Sequence, residues 1–305
     1  MVAESPKSLV LQGMEDTPKL SYAAYFDHPL KRSMVRTIER LSGQPYLQKL
    51  YETYRADLAH EPFFAAAIKL LDLDVEFSSR RLAQIPATGP LVIVANHPFG
   101  VLDGLLISWL ISLRRDDFKV LTNAVLDGAP EAREWLLPID FNTTKEARAT
   151  NIRTRAESLE RLKNGECIIV FPAGGVSTSP TPFSRRAVDD TWKPFTAKLI
   201  SHSRAHVTPI FFEGQNSRLF QWASHMSIEL RLALIFREVK RRVGTALPVH
   251  IGETLTPDVL ASAGKRQELM NFLRDQTYGM APSKQQASIA RAHKRFQESK
   301  PAIFH

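Results

Sequence analysis

The segment Leu91-Val-Ile-Val-Ala-Asn-His97-Pro-Phe-Gly-Val-Leu-Asp103-Gly104 carries the residues best placed to do chemistry. An apolar, β-branched run ends at Asn96-His97, turns through Pro98-Phe99-Gly100 and opens into an apolar helix with an acid near its start. A histidine at the end of a strand presents its ring. A carboxylate one short turn later fixes the ring's tautomer and balances the charge it gains on taking a proton. Such a pair suits a general base acting on a hydroxyl. The competing reading is a histidine and an aspartate that only cap a buried helix, and taken alone the pair favours that reading slightly.

The elements that must position these residues follow from apolar periodicity. Strands are expected at 75–78, 91–95, 118–122, 167–171, 207–212 and 247–251. Helices are expected at 101–114, 145–163, 187–203, 218–243 with an interruption, and 256–276. This alternation predicts an α/β fold with a mostly parallel central sheet flanked by helices. Ligands bind such sheets beyond the carboxyl ends of the strands, which is where His97 and the loop Pro172–Ser177 fall. Helical spacing over 33–58, broken at Gly43 and Pro45, and again from Phe63 to Leu71, adds an N-terminal helical layer. Its aromatic faces pack on a domain or dip into a membrane interface. The division expected is an N-terminal helical segment (1–72), a main domain (73–280) and a basic tail (281–305) with Arg291-Ala-His-Lys-Arg295, read as a solvated helix.

The 305 residues, 44% hydrophobic and 24% charged, suffice for a sizeable core. Cys167, the single cysteine, excludes an intrachain disulfide, points to a reducing compartment and reads as a small buried hydrophobe. Residues 1–25 lack the pattern of a signal peptide. The longest apolar stretch, Leu105–Leu113, is far short of the roughly 20 residues a bilayer span needs. A net charge of +8 and a pI near 9.6 favour anionic partners. No Gly-x-Ser-x-Gly elbow, phosphate-loop signature or nucleic-acid-binding module is present, and no nucleic acid partner is expected. His97 has no neighbour at metal-ligand spacing and His202 with His206 does not make a site, so no metal is expected.

Four blocks recur in order: Asn96-His97…Asp103; Leu136-Leu-Pro-Ile-Asp140; Val170-Phe-Pro-Ala-Gly-Gly-Val-Ser177; and Val207-Thr-Pro-Ile-Phe-Phe-Glu-Gly-Gln-Asn216. The succession resembles the lysophospholipid acyltransferase family, of 1-acylglycerol-3-phosphate O-acyltransferase type, over about residues 75–255. The resemblance implies a glycerolipid acyltransferase fold and transfer of a fatty acyl group from acyl carrier protein (acyl-ACP) or coenzyme A (acyl-CoA) to a lyso-lipid hydroxyl. His97 would be the base and Asp103 its partner, with no covalent acyl-enzyme and no permanently bound cofactor. Backbone N–H groups at the turn or helix start would stabilise the tetrahedral oxyanion. Asn96, Gly100, Phe171, Pro172, Ala173, Gly174, Gly175, Ser177 and Glu213 are the substrate-binding residues this implies.

Two departures from the family pattern matter. Five residues rather than four separate His97 from Asp103, a form similar to the haemolysin-like branch; the extra residue is absorbed if it lies in the Pro98-Phe99-Gly100 turn. The Phe-Pro-Glu-Gly-Thr-Arg block is here Phe171-Pro-Ala-Gly-Gly-Val-Ser177, without its arginine, the natural bidentate reader of phosphate. A lyso-aminolipid therefore stands beside a lysophospholipid as acceptor, with Arg185, Arg186 and Lys193 the cations to reach the loop. Ser217 is expected to cap the next helix, Asp140 a loop, and Trp192-Lys-Pro-Phe195 to form a packing corner. The expected setting is cytoplasmic, peripheral at the anionic inner face of the cell membrane. The rival class is a non-catalytic basic protein that binds membrane or nucleic acid on a degenerate acyltransferase scaffold.

Overall fold

The computed structural model describes residues 20–23, 26, 28–123, 129–139 and 144–299. Seven strands form one sheet: β1 (Asp74–Glu76), β2 (Leu91–Ala95), β3 (Phe118–Asn123), β4 (Leu136–Ile139), β5 (Cys167–Val170), β6 (His206–Phe212) and β7 (Ala246–Ile251). Their order is β1-β7-β6-β2-β5-β3-β4. The five from β6 to β4 run parallel. The sheet turns antiparallel between β6 and β7, and β1 follows β7 in parallel. The sheet is thus mostly parallel, as the alternation of elements predicts.

β2 lies in the middle of the sheet, which is why Leu91-Val-Ile-Val-Ala is apolar throughout: every one of its side chains is buried. Its residues alternate between two cores, as strand geometry requires. Leu91, Ile93 and Ala95 join the N-terminal helices (Val35, Leu47, Phe64) and the helix Val101–Ser112 (Leu102, Leu106, Leu110). Val92 and Val94 join the helices Phe195–Ser203 (Ala197, Ile200) and Gln267–Gly279 (Met270, Leu273). Helices therefore cover both faces, and the strand that precedes His97 is held from both sides.

The expected elements need several corrections. The N-terminal layer is three helices, Pro29–Ser42, Gln44–Thr53 and Phe63–Leu70, with the break at Gly43 as expected. The expected helix 187–203 begins only at Phe195; residues 187–194 are a loop drawn inward by buried Trp192 and Asp189. Leu136–Ile139 is an edge strand, where Pro138 is tolerated because no inner ladder needs its missing N–H. The region 218–243 is three helices, Arg218–Met226, Ile228–Ala233 and Ile235–Lys240, with Ser227 in extended backbone at the first break. Ser217 caps the first of them, accepting from the Phe220 N–H, as expected. The tail is a helix, Ser283–Ser299, but not a fully solvated one: Ile289 and Ala292 are buried in a cluster with Phe211 and Tyr278. Asp140 lies outside the described residues.

Candidate active site

His97 follows β2 by two residues, and its ring Nδ1 lies 2.9 Å from Asp103 Oδ2. Asp103 sits in the first turn of the helix Val101–Ser112 and is wholly buried. The same Oδ2 accepts from the backbone N–H groups of Phe99 (2.8 Å) and Gly100 (2.9 Å). One carboxylate therefore caps the helix and also lies beside the ring. The extra residue of the spacing is absorbed in the turn: Gly100 has φ +83°, a region open to glycine at little cost. The approach of the carboxylate to Nδ1 lies off the N–H axis, and Oδ1 has no hydrogen-bond partner among the described residues. Burial pushes the Asp103 pKa up, against the lowering pull of His97 and the two amides. The His97 ring stacks on Phe171 with 4.2 Å between centroids and remains 18% exposed. With Nδ1 facing Asp103, Nε2 is the nitrogen left to meet a substrate.

A second buried carboxylate, unforeseen in the sequence, fixes the peptide around His97. Asp189 Oδ1 accepts from the His97 backbone N–H (3.1 Å) and from the Ser177 hydroxyl (2.5 Å). Its Oδ2 accepts from the Trp192 indole (2.9 Å), and its own N–H donates to the Tyr278 hydroxyl (2.8 Å). The Ser177 N–H donates to the His97 carbonyl (2.7 Å). Burial raises the Asp189 pKa, with Ser177, Trp192 and His97 opposing the rise. The signal that could have revealed this residue is the pair of acids in Val188-Asp-Asp-Thr-Trp192, within a stretch read as helix.

The ring opens on a cavity of about 660 Å³ lined by His97, Gly100, Phe171, Pro172, Gly174 and Gly175 among others. Five of the other residues expected at the site thus share one space with the histidine. The remaining expected residues are placed elsewhere. Asn96 is buried and spends both amide atoms on β6, donating to the Phe212 carbonyl and accepting from the Phe212 N–H. Ala173 is buried in the core behind the loop, and the Ser177 hydroxyl is committed to Asp189. Glu213 points the other way, accepting from Gln285 and lying 3.3 Å from the His250 ring. The helix-start N–H groups of Phe99 and Gly100 are taken by Asp103, so they do not serve an oxyanion.

Three cations line the cavity: Arg155, Lys193 and Arg231. Arg231 supplies from another element what the Phe171–Ser177 block lacks. It rises from the helix Ile228–Ala233, donates to the Val176 carbonyl and comes within 3.7 Å of where a Cβ on Gly175 would stand. No carboxylate pairs with it among the described residues, and burial alone pushes its pKa down to about 10. Cys167, by contrast, is fully buried with its thiol pushed up to about 12, which suits a packing role and not a nucleophile.

A smaller apolar chamber of about 160 Å³ lies between the N-terminal helices and the helix Val101–Ser112. Tyr22, Val101, Gly104 and Val120 line both it and the larger cavity. Gly104 stands in a helix interior, where glycine costs about 1 kcal/mol relative to alanine. Among the described residues, no helix is long and apolar enough to cross a membrane.

Residues 21–287 match the model of a family described as acyltransferase. A lyso-glycine lipid O-acyltransferase of Bacteroides thetaiotaomicron is 27% identical over 180 residues, 57% of this chain and 62% of that protein. This chain thus spans less than two thirds of that relative's length. A second lyso-glycine lipid O-acyltransferase, from Phocaeicola vulgatus, is 24% identical over 231 residues, 71% of this chain and 76% of that one. The crystal structure of the 1-acyl-sn-glycerophosphate (LPA) acyltransferase PlsC from Thermotoga maritima aligns over 90% of this chain and 86% of its own, with 16% identity and a TM-score of 0.43. With the matched region running from the N-terminal layer to the last helix, the chain belongs to the acyltransferase family.

Proposed function

We propose that this acyltransferase moves a fatty acyl group from acyl-ACP or acyl-CoA to the hydroxyl of a lyso-lipid, with His97 as general base. The observation that carries this reading is the 2.9 Å approach of His97 Nδ1 to buried Asp103 at the head of an open cavity. Nε2 takes the proton as the acceptor oxygen forms its bond to the thioester carbon. The C–S bond breaks as the tetrahedral intermediate collapses, and the thiolate leaves with the proton that His97 returns. Asp103 holds the ring and offsets the imidazolium charge. The apolar chamber beyond Gly104 takes the acyl chain, which gives a reason for a glycine in that helix.

For the acceptor, the relatives' names favour a lyso-aminolipid. An amino acid linked through its nitrogen keeps a free carboxylate, and Arg231, with no carboxylate partner among the described residues, is the cation we assign to it. The +8 net charge suits both an acidic carrier protein and an anionic membrane surface at the inner face of the cell membrane.

The test is an assay of the purified protein with acyl-ACP and acyl-CoA against lyso-lipids bearing carboxylate or phosphate, read by mass spectrometry of the diacyl product. His97→Ala should lower turnover on the order of 10²–10⁴-fold with its melting temperature kept. Equal rates in the variant and the wild type would remove His97 from the chemistry.

A further inference from the structure

Two adjoining helices hold large apolar side chains in water. On the helix Arg218–Met226 these are Leu219, Trp222 and Met226, spaced three and four apart and so on one side. Met226 is 75% exposed, and exposed Ile228 continues the stripe across the break at Ser227. The Trp222 indole donates to the Pro182 carbonyl at 2.8 Å, which sets the ring beside Phe183, itself 86% exposed. The helix Pro29–Ser42 presents Leu30 and Met34 and is tied to Ile228–Ala233 by the Lys31–Glu229 ion pair at 2.5 Å.

Among the described residues, the exposed charges on and beside these helices have one sign. The helix Arg218–Met226 contains no acid, and the only acid of Pro29–Ser42, Glu39, is buried. Glu229 is buried under Lys31. The exposed charges are Lys31, Arg36, Arg40, Arg185 and Arg218, all cationic. Leucine, methionine and phenylalanine enter hydrocarbon, tryptophan rests at the headgroup level, and cations meet anionic headgroups. A rim whose described exposed charges are cationic matches a surface of uniformly negative charge. The patch also reaches the cavity, because Ile228 lines it.

We propose that this face, centred on Phe183, Leu219, Trp222 and Met226 and flanked by Leu30 and Met34, seats the protein on an anionic bilayer. The acceptor then passes from the lipid into the cavity beside Ile228. Only that route rests on the acyl-transfer reading; the docking does not.

Co-sedimentation of the full chain with vesicles of phosphatidylglycerol and phosphatidylcholine, and with phosphatidylcholine alone, tests the surface. The wild type should bind the anionic vesicles more tightly. Phe183→Glu and the double variant Trp222→Glu/Met226→Glu should each weaken that binding by about tenfold or more. Both should keep the wild-type melting temperature and the turnover on acceptor dispersed in detergent. A wild type that ignores anionic vesicles overturns the proposal, and so do variants that bind as the wild type does. If sedimentation velocity shows a wild-type dimer that the variants dissociate while vesicle binding is unchanged, the face joins two copies and the proposal falls. A wild type that binds as expected but acylates no lyso-lipid leaves the docking face standing and removes the acyl-transfer reading.

Discussion

Replacing Asp103 by asparagine separates its two tasks. Asparagine keeps an oxygen for the Phe99 and Gly100 amides but carries no charge to offset an imidazolium. Turnover should fall on the order of 10³-fold. Stability should move the other way. Burial raises the Asp103 pKa, so ionising the group costs more in the folded than in the unfolded chain; that stability is fully present below the ordinary carboxylate range and is lost as pH rises through the raised value. Asp103→Asn should therefore melt no lower than the wild type at pH 7, with any advantage fading below the ordinary carboxylate range; calorimetry across pH measures it. Arg231→Gln tests the acceptor. A hydrogen bond to a charged group contributes about 1.5–3 kcal/mol, so KM for a carboxylate-bearing acceptor should rise roughly 10- to 100-fold with kcat little changed. Its amide analogue should show no such rise. His97 and Asp103 were legible because they lie in one short segment between a strand and a helix. Arg231 and Asp189 were not: each reaches the site through space from a helix or loop whose local pattern carries no sign of it.

At the scale of elements, the buried strands read plainly. β2 and β5 are β-branched runs whose every residue packs. The short edge strand Leu136–Ile139 did not, since four residues with a proline give little periodicity. The loop 187–194 resembled a helix start because its acids and tryptophan, which in the fold serve one another, mimic a polar first turn. The break at Ser227 follows from its side chain, which caps the following helix by accepting from the Leu230 N–H. The helix Ser283–Ser299 carries a prediction of its own. His293 sits edge-on to Tyr278 and near Arg274, and burial pushes its pKa down to about 3. The unfolded chain binds a proton there near pH 6.5 and the folded chain does not, so stability is present above that value and lost as pH falls toward about 3. Hydrogen exchange should show this helix opening more readily at pH 5 than at pH 7. His293→Gln should flatten the dependence.

For the whole molecule, a charge of +8 has measurable consequences. Surface attraction decays within about 8 Å at physiological ionic strength. Turnover on acceptor held in anionic vesicles should fall severalfold between low salt and 0.5 M as the attraction is screened, whereas detergent-dispersed acceptor, which offers no charged surface, should be consumed at a nearly constant rate. Equal salt sensitivity in both assays would place the effect on donor binding instead.

The carboxylate of Asp189 ties early and late parts of the chain together: it grips the peptide of His97 while its own amide leans on Tyr278. A ribosome delivers His97 long before Tyr278. The nascent polypeptide can assemble strand and turn, yet the histidine's seat is finished only when the penultimate helix has emerged. Synthesis order thus acts as a timer: any product that stops short of Tyr278 lacks this support behind the histidine.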